Sequence, residues 1–264
     1  MLALEHVTKT FASGGAAEVK ALDDLSLAIG DGDFVTVIGS NGAGKSTLLK
    51  AIVGLTQPES GRVALDGRDI TRDPVHRRAG LFGRIAQDPN DSTCAGMTIE
   101  ENLAMAAKRG QSRGLRRAVT PELRERFRGA LAEIGLGLES RLDTRIGLLS
   151  GGQRQTIALL MATLAGPRLL LLDEHLAALD PKTAELVMAL TDRLVGERRL
   201  TTLMITHNMA DAIRWGNRLV MMHRGRIIFE AAGAAKAELS VGGLVQKFHE
   251  AGHIDLADDR MLLS

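Results

Sequence analysis

Gly39-Ser40-Asn41-Gly42-Ala43-Gly44-Lys45-Ser46-Thr47 places glycines, a lysine and hydroxyls in the order G-x-x-x-x-G-K-[ST]. Glycines let successive backbone N–H groups converge on an anion, and a helix N-terminus adds a favourable dipole. Lys45 would then reach β- and γ-phosphates, and the Ser46 hydroxyl would ligate Mg²⁺. The flanks support this chemistry. Phe34 to Ile38 is apolar and β-branched, a buried strand. Ser46 to Val53 predicts a helix, with Gly54 placed to stop it. Strand, glycine loop and helix together separate a phosphate loop from an incidental glycine-rich turn. The expected ligand is a nucleoside triphosphate.

A second candidate group is Asp173-Glu174, which ends the apolar run Leu169 to Leu172. Such a run suits a strand covered on both faces, and acids at its carboxyl end stand where open α/β sheets bind ligands. Asp173 would hold Mg²⁺ and Glu174 would act on the attacking water; the alternative is a pair of acids at a helix start. Gln87 follows the apolar stretch Leu81 to Ala86 and His207 follows Leu200 to Thr206. Each suits a metal, water or phosphate contact, or a plain polar strand end. Ser150-Gly151-Gly152-Gln153 precedes the apolar helix Thr156 to Leu164, a second anion cradle built from N–H groups and dipole. Two cradles with one phosphate loop suggest a symmetric dimer, in which Ser150 of one copy closes on the nucleotide of the other. Phe11 is one of six phenylalanines in a chain with one tryptophan and no tyrosine. It suits either an adenine-stacking face or a core position at a strand end.

The elements that carry these residues can be read in order. Residues 2–11 and Val19 to Ile29 predict strands around a turn at Ala12 to Ala17. Asp31-Gly32-Asp33 turns into the strand before the phosphate loop, and Asp66-Gly67 marks a hairpin after Leu65. Between residues 91 and 165 the pattern is helical. Thr98 with Glu101 forms a capping-box signature, and Pro121 to Ile134 aligns Leu123, Phe127, Ala130, Leu131 and Ile134 on one face. The intervening cations Lys108, Arg109, Arg113, Arg116 and Arg117 would face phospholipid, an acidic loop or solvent. Pro181 opens a helix to Leu194, Arg224-Gly225 joins a closing hairpin, and Leu239 to Ala251 predicts a docking helix.

Composition narrows the function classes. A chain of 264 residues at 45% hydrophobic content is globular, and a formal charge of +1 argues against a nucleic-acid partner. The single cysteine, Cys94, excludes an internal disulfide framework and fits a reducing compartment. The early charges Glu5 and Lys9 do not suit a signal peptide. The longest apolar stretch, Ile157 to Ala165, is about half of what a membrane-spanning helix needs. A cytoplasmic protein is expected, with any membrane role borrowed from a partner.

Phe11, the loop at 39–47, Gln87, Leu149-Ser150-Gly151-Gly152-Gln153, Asp173-Glu174 and His207 occur in this order, and together they resemble the ATP-binding cassette (ABC) ATPases over about residues 1–232. The resemblance implies an α/β fold: a P-loop NTPase core with a mostly parallel sheet, an antiparallel N-terminal β subdomain and a helical subdomain inserted at about 88–165. Residues 233–264 would add a short helix and tail, too small for a regulatory domain. It further implies that Phe11 stacks adenine, that Ser46, Gln87 and Asp173 hold Mg²⁺, and that Glu174 is the catalytic base. His207 would sense the γ-phosphate, Ser150 to Gln153 would act on a second copy's nucleotide, and Asp180 would lie at the dimer interface. Beyond Gln87 the helical subdomain would receive the coupling helix of a permease.

This chain departs from the family pattern in having Phe11 where tyrosine is commoner, His175 where proline is usual, and Ala178 where serine often precedes the leucine. The stretch Asp173 to Thr183 is similar to the cassettes of bacterial importers for tryptophan and related small solutes. At His175 a surface contact is expected rather than a titratable role. The implied activity is ATP hydrolysis by a nucleotide-sandwich homodimer on the inner face of the cell membrane. It would power a separate permease that works with a substrate-binding protein and imports an amino acid or similar solute. The alternative is a soluble ABC ATPase of an assembly complex, of the iron–sulfur scaffold type.

Overall fold

The computed structural model describes residues 1–13, 16–111, 114 and 117–250. Arg113 and Arg116 of the basic stretch, and the tail beyond residue 250, lie outside the described residues. The chain divides into two compact units, Met1–Arg78 with everything from Leu200 onward, and Ala79–Arg199.

In chain order, the first unit supplies β1 (Leu2–Ser13), β2 (Ala16–Ile29), β3 (Phe34–Gly39), α1 (Lys45–Val53), β4 (Ser60–Leu65), β5 (Arg68–Asp69) and α2 (Val75–Arg78). The second supplies β6 (Phe82–Ile85), α3 (Pro89–Ser92), α4 (Ile99–Ala107), α5 (Pro121–Ala132), α6 (Gly151–Thr163), β7 (Leu169–Asp173) and α7 (Pro181–Arg198). The chain then returns to the first unit as β8 (Thr202–Ile205), α8 (Met209–Arg214), β9 (Arg218–His223), β10 (Arg226–Ala232), α9 (Gly233–Ala237) and α10 (Val241–Glu250).

Within the first unit, β1, β2, β4 and β5 form an antiparallel sheet in the order β2-β1-β4-β5. Asp66 and Gly67, with φ of 52 and 77, make the β4–β5 turn that the Asp-Gly pair predicts. The other strands place β3 between β8 and β9, parallel to both, with β10 antiparallel on β9. Every residue of β3 is buried, as suits an apolar strand flanked by parallel partners. Leu244 and Phe248 of α10 pack with Ile38, Met209, Ala212, Leu219 and Met221, so the C-terminal helix docks on this unit's core.

In the second unit β6 and β7 pair in parallel. Its helices close around Leu103, Phe127, Leu131, Ile157 and Leu160; of the stripe predicted on α5, Phe127 and Leu131 are fully buried, and Leu123, Ala130 and Ile134 pack partly buried against the same core. Thr98 caps α4 in a full capping box with Glu101, and Thr120 accepts from Leu123 N–H at the start of α5.

Three differences from the sequence expectations have physical causes. β1 continues to Ser13 and β2 starts at Ala16, because the strands stay paired up to Ser13 opposite Ala16. α7 runs on to Arg198 and ends on Arg199 in a left-handed cap, with no glycine needed. His175 is not a surface contact: it is buried at 3% exposure, and burial pushes its pKa down to about 4.

Candidate nucleotide site

The first unit carries the phosphate loop, between β3 and α1. The backbone dictates its glycines. Gly44 has φ of 98, and a side chain there would run into the Ala21 carbonyl. A side chain at Gly39 would overlap the Met222 carbonyl. The cap of α1 is a glycine, so no cap side chain competes with an anion for the positive end of this helix. Lys45 is buried, and its ammonium donates to the carbonyls of Gly39 at 2.7 Å and Ser40 at 3.0 Å, inside the loop's own curve. Asn41, Gly42 and Ser46 are exposed, Ala43 is buried and Thr47 is half-buried.

His207 lies two residues beyond the end of β8 and is half-buried. Asn208 caps α8 by accepting from the Asp211 N–H. Burial pushes the Asp211 carboxyl above its usual range, while the Arg214 guanidinium pulls the other way. On β1, Phe11 is 44% exposed with the Lys9 ammonium 5.4 Å from its ring centre. With that exposure Phe11 is not a core residue.

The second unit carries the acids. Asp173, half-buried at the end of β7, lies 3.9 Å from the Arg84 guanidinium. Glu174 takes a left-handed φ of 44, unusual for a residue with a side chain, and this swings the chain out of the strand. The Gln87 amide donates to the Glu174 carboxylate at 3.2 Å, joining two candidates that lie 87 residues apart. Ser150 caps α6 in a capping box: Gln153 N–H donates to its hydroxyl at 3.3 Å, and Ser150 N–H donates to Gln153 Oε1 at 3.2 Å. Gly151 is exposed, and a side chain at Gly152 would strike Thr183, so the glycine pair lets α6 begin close beside α7. Asp180 caps α7 by accepting from Thr183 N–H at 3.1 Å, which holds its carboxyl below the usual range.

Two contacts had no sequence signal beyond a charged residue on a strand. Arg84 sits beside Asp173, and His223, at the end of β9, shares a 3.3 Å hydrogen bond with the Ser40 hydroxyl. A third, Arg78, is fully buried on four backbone carbonyls, although its local sequence is polar.

Comparison with known proteins agrees with this chemistry. The ABC transporter family pattern matches residues 22–177. The tyrosine transport ATP-binding protein of Clostridioides difficile is 41% identical over 251 residues, 95% of this chain and 100% of that protein. The sulfate/thiosulfate import ATP-binding protein of Mycobacterium tuberculosis is 36% identical over 208 residues, 78% of this chain but 56% of that longer protein. Among solved structures, a dimeric ATP-binding cassette in a post-hydrolysis state bound to ADP and Pi superposes with a TM-score of 0.74. It is 31% identical over 88% of this chain and 98% of its own. With the phosphate loop, the paired acids and the capped Ser-Gly-Gly helix in place, the chain belongs to the ABC transporter family as an ATP-binding cassette ATPase.

Proposed function

We propose that this cassette powers import of an amino acid or similar small solute through a separate membrane permease, with a substrate-binding protein delivering the solute. The observation that carries the ATPase chemistry is the Gln87–Glu174 pair, a carboxylate held at the end of β7 by an amide donor. The full-length likeness to a tyrosine transport ATP-binding protein supports the solute class, and the import named for the sulfate/thiosulfate relative supports the direction. Among the described residues, no helix is long and apolar enough to cross a membrane, which fits a permease supplied by another chain. The cassette is residues 1–232 with its helical subdomain at about 88–165, and 233–264 form a C-terminal appendage.

In this reading Phe11 stacks the adenine and the N–H groups of residues 39–47 cradle the phosphates. Lys45 turns its ammonium from the loop carbonyls to the β- and γ-phosphates. Ser46, Gln87 and Asp173 offer a hydroxyl, an amide oxygen and a carboxylate, the hard donors that suit Mg²⁺, which would offset phosphate charge. Glu174 orients and deprotonates the attacking water, and His207 donates to the γ-phosphate. Ser150, Gly151, Gly152 and Gln153 of a second copy complete the grip, with Asp180 at the interface. Loss of the γ-phosphate removes the bridge and opens the homodimer, and the permease converts that opening into transport. The cassette then works at the inner face of the cell membrane.

The test is a tagged pull-down from detergent-solubilised membranes, with co-purifying chains identified by mass spectrometry. A multi-span permease is the expected companion. Recovery of soluble partners alone would overturn the transporter reading.

A further inference from the structure

The turn between β9 and β10 touches the phosphate loop at several points, all within the first unit. Met222 pairs with Gly39 in the parallel ladder, and its carbonyl occupies the space a side chain at Gly39 would need. Gly225 N–H donates to the Ala43 carbonyl at 3.0 Å, while its own carbonyl accepts from Asp23 N–H at 3.0 Å. Arg224 and Gly225, with φ of 45 and 80, form the tight turn that brings these groups together. Between the backbone contacts, His223 is buried at 7% exposure, and its Nδ1 shares the 3.3 Å hydrogen bond with Ser40 Oγ. Ser40 also offers its carbonyl to the Lys45 ammonium. One residue of the loop is thus fixed from outside by an imidazole and tied from inside to the phosphate-binding lysine.

We infer that His223 is a positioning residue for nucleotide binding. It fixes Ser40, and through Ser40 the curvature of the loop that Lys45 must leave when phosphate arrives. This inference rests on the ATP-binding reading. The imidazole touches no substrate atom. Its contribution is pre-organisation, so its loss weakens binding of nucleotide and transition state alike.

The test compares wild type with His223→Ala, His223→Asn, Ser40→Ala and the Ser40→Ala/His223→Ala double variant. A fluorescent ATP analogue is titrated with Mg²⁺, KM and kcat are measured for ATP, and apo melting temperatures are recorded. Loss of one buried hydrogen bond predicts an about fivefold weaker Kd and higher KM for His223→Ala, with kcat unchanged. His223→Asn places an amide atom where Nδ1 stood and restores both values. Ser40→Ala reproduces the defect, and the double variant is no worse than either single change. Wild-type affinity in His223→Ala would overturn the inference. So would a defect that Asn does not rescue and that adds to Ser40→Ala, since His223 would then be only a core filler. Failure of wild type itself to bind the analogue would refute the nucleotide reading instead.

Discussion

Gly54 and Arg78 should prove energetically coupled at the back of the phosphate-loop helix. Gly54 ends α1 with φ of 83, and a Cβ there would lie 2.9 Å from Arg78 Cζ and Nε. Arg78 cannot easily yield, because its guanidinium is fully buried and donates to the carbonyls of Asp73, Ala51, Ile52 and Thr71 at 2.7–2.9 Å. Gly54→Ala therefore carries about 1 kcal/mol for the left-handed backbone. Pushing the cation off its acceptors adds about 1–2 kcal/mol. Arg78→Met leaves buried carbonyls without their donor, about 3 kcal/mol. In the double variant the flexible methionine gives way, so only the backbone part of the alanine cost remains. The double variant should fall short of additivity by about 1–2 kcal/mol. Urea unfolding followed by Trp215 fluorescence reads the cycle, because the only tryptophan lies in the same unit. Arg78→Lys, which keeps the charge but withdraws the planar group, gives a milder second cycle. Additivity within about 0.5 kcal/mol in both cycles would refute the steric argument.

Glu174→Gln should bind ATP and dimerise but turn over very slowly; normal hydrolysis would sink the base assignment. Ser150→Ala should cost about 1 kcal/mol of stability through the lost cap. Its ATPase activity should fall far more than that, and a loss proportionate to unfolding would reduce Ser150 to a cap. Burial pulls the Lys236 pKa down to about 8 from the usual lysine value of 10.5, although the ammonium donates to the carbonyls of Ile213, Trp215 and Gly216. The unfolded chain binds that proton more tightly, so this contribution to stability is present above 10.5 and is lost as pH falls through 8. Between pH 7.5 and 9.5 wild type should gain up to about 2 kcal/mol relative to Lys236→Met. Parallel pH dependences in chemical denaturation would contradict that sign.

Local chemistry was legible where a few adjacent residues determine it. The phosphate loop, the Ser150 to Gln153 and Thr98 to Glu101 caps and the Asp66-Gly67 turn all depend on contacts within three or four positions. The apolar runs of β3 and β7 announced buried strands for the same reason. What escaped was assembled by the fold. Ser40 meets His223 across 183 positions and Gln87 meets Glu174 across 87. The short helices α2 and α8 span 4 and 6 residues, too few for a 3.6-residue period to show. His175 follows two acids and precedes the apolar Leu176 to Leu179, a mixed setting in which only tertiary packing decides that the imidazole is buried.

With Glu174 as the proposed base, its left-handed backbone sets folding against catalysis at one position. A residue with a side chain is strained there by about 1–3 kcal/mol, whereas glycine would rest at no cost and asparagine at little. Directed evolution for heat resistance alone should therefore drift away from glutamate at 174 and yield sturdier, inert proteins. Selection for turnover should bring the carboxylate back each time, at the expense of melting temperature. Residue 174 is thus a place where an engineer can choose durability or work, but not both.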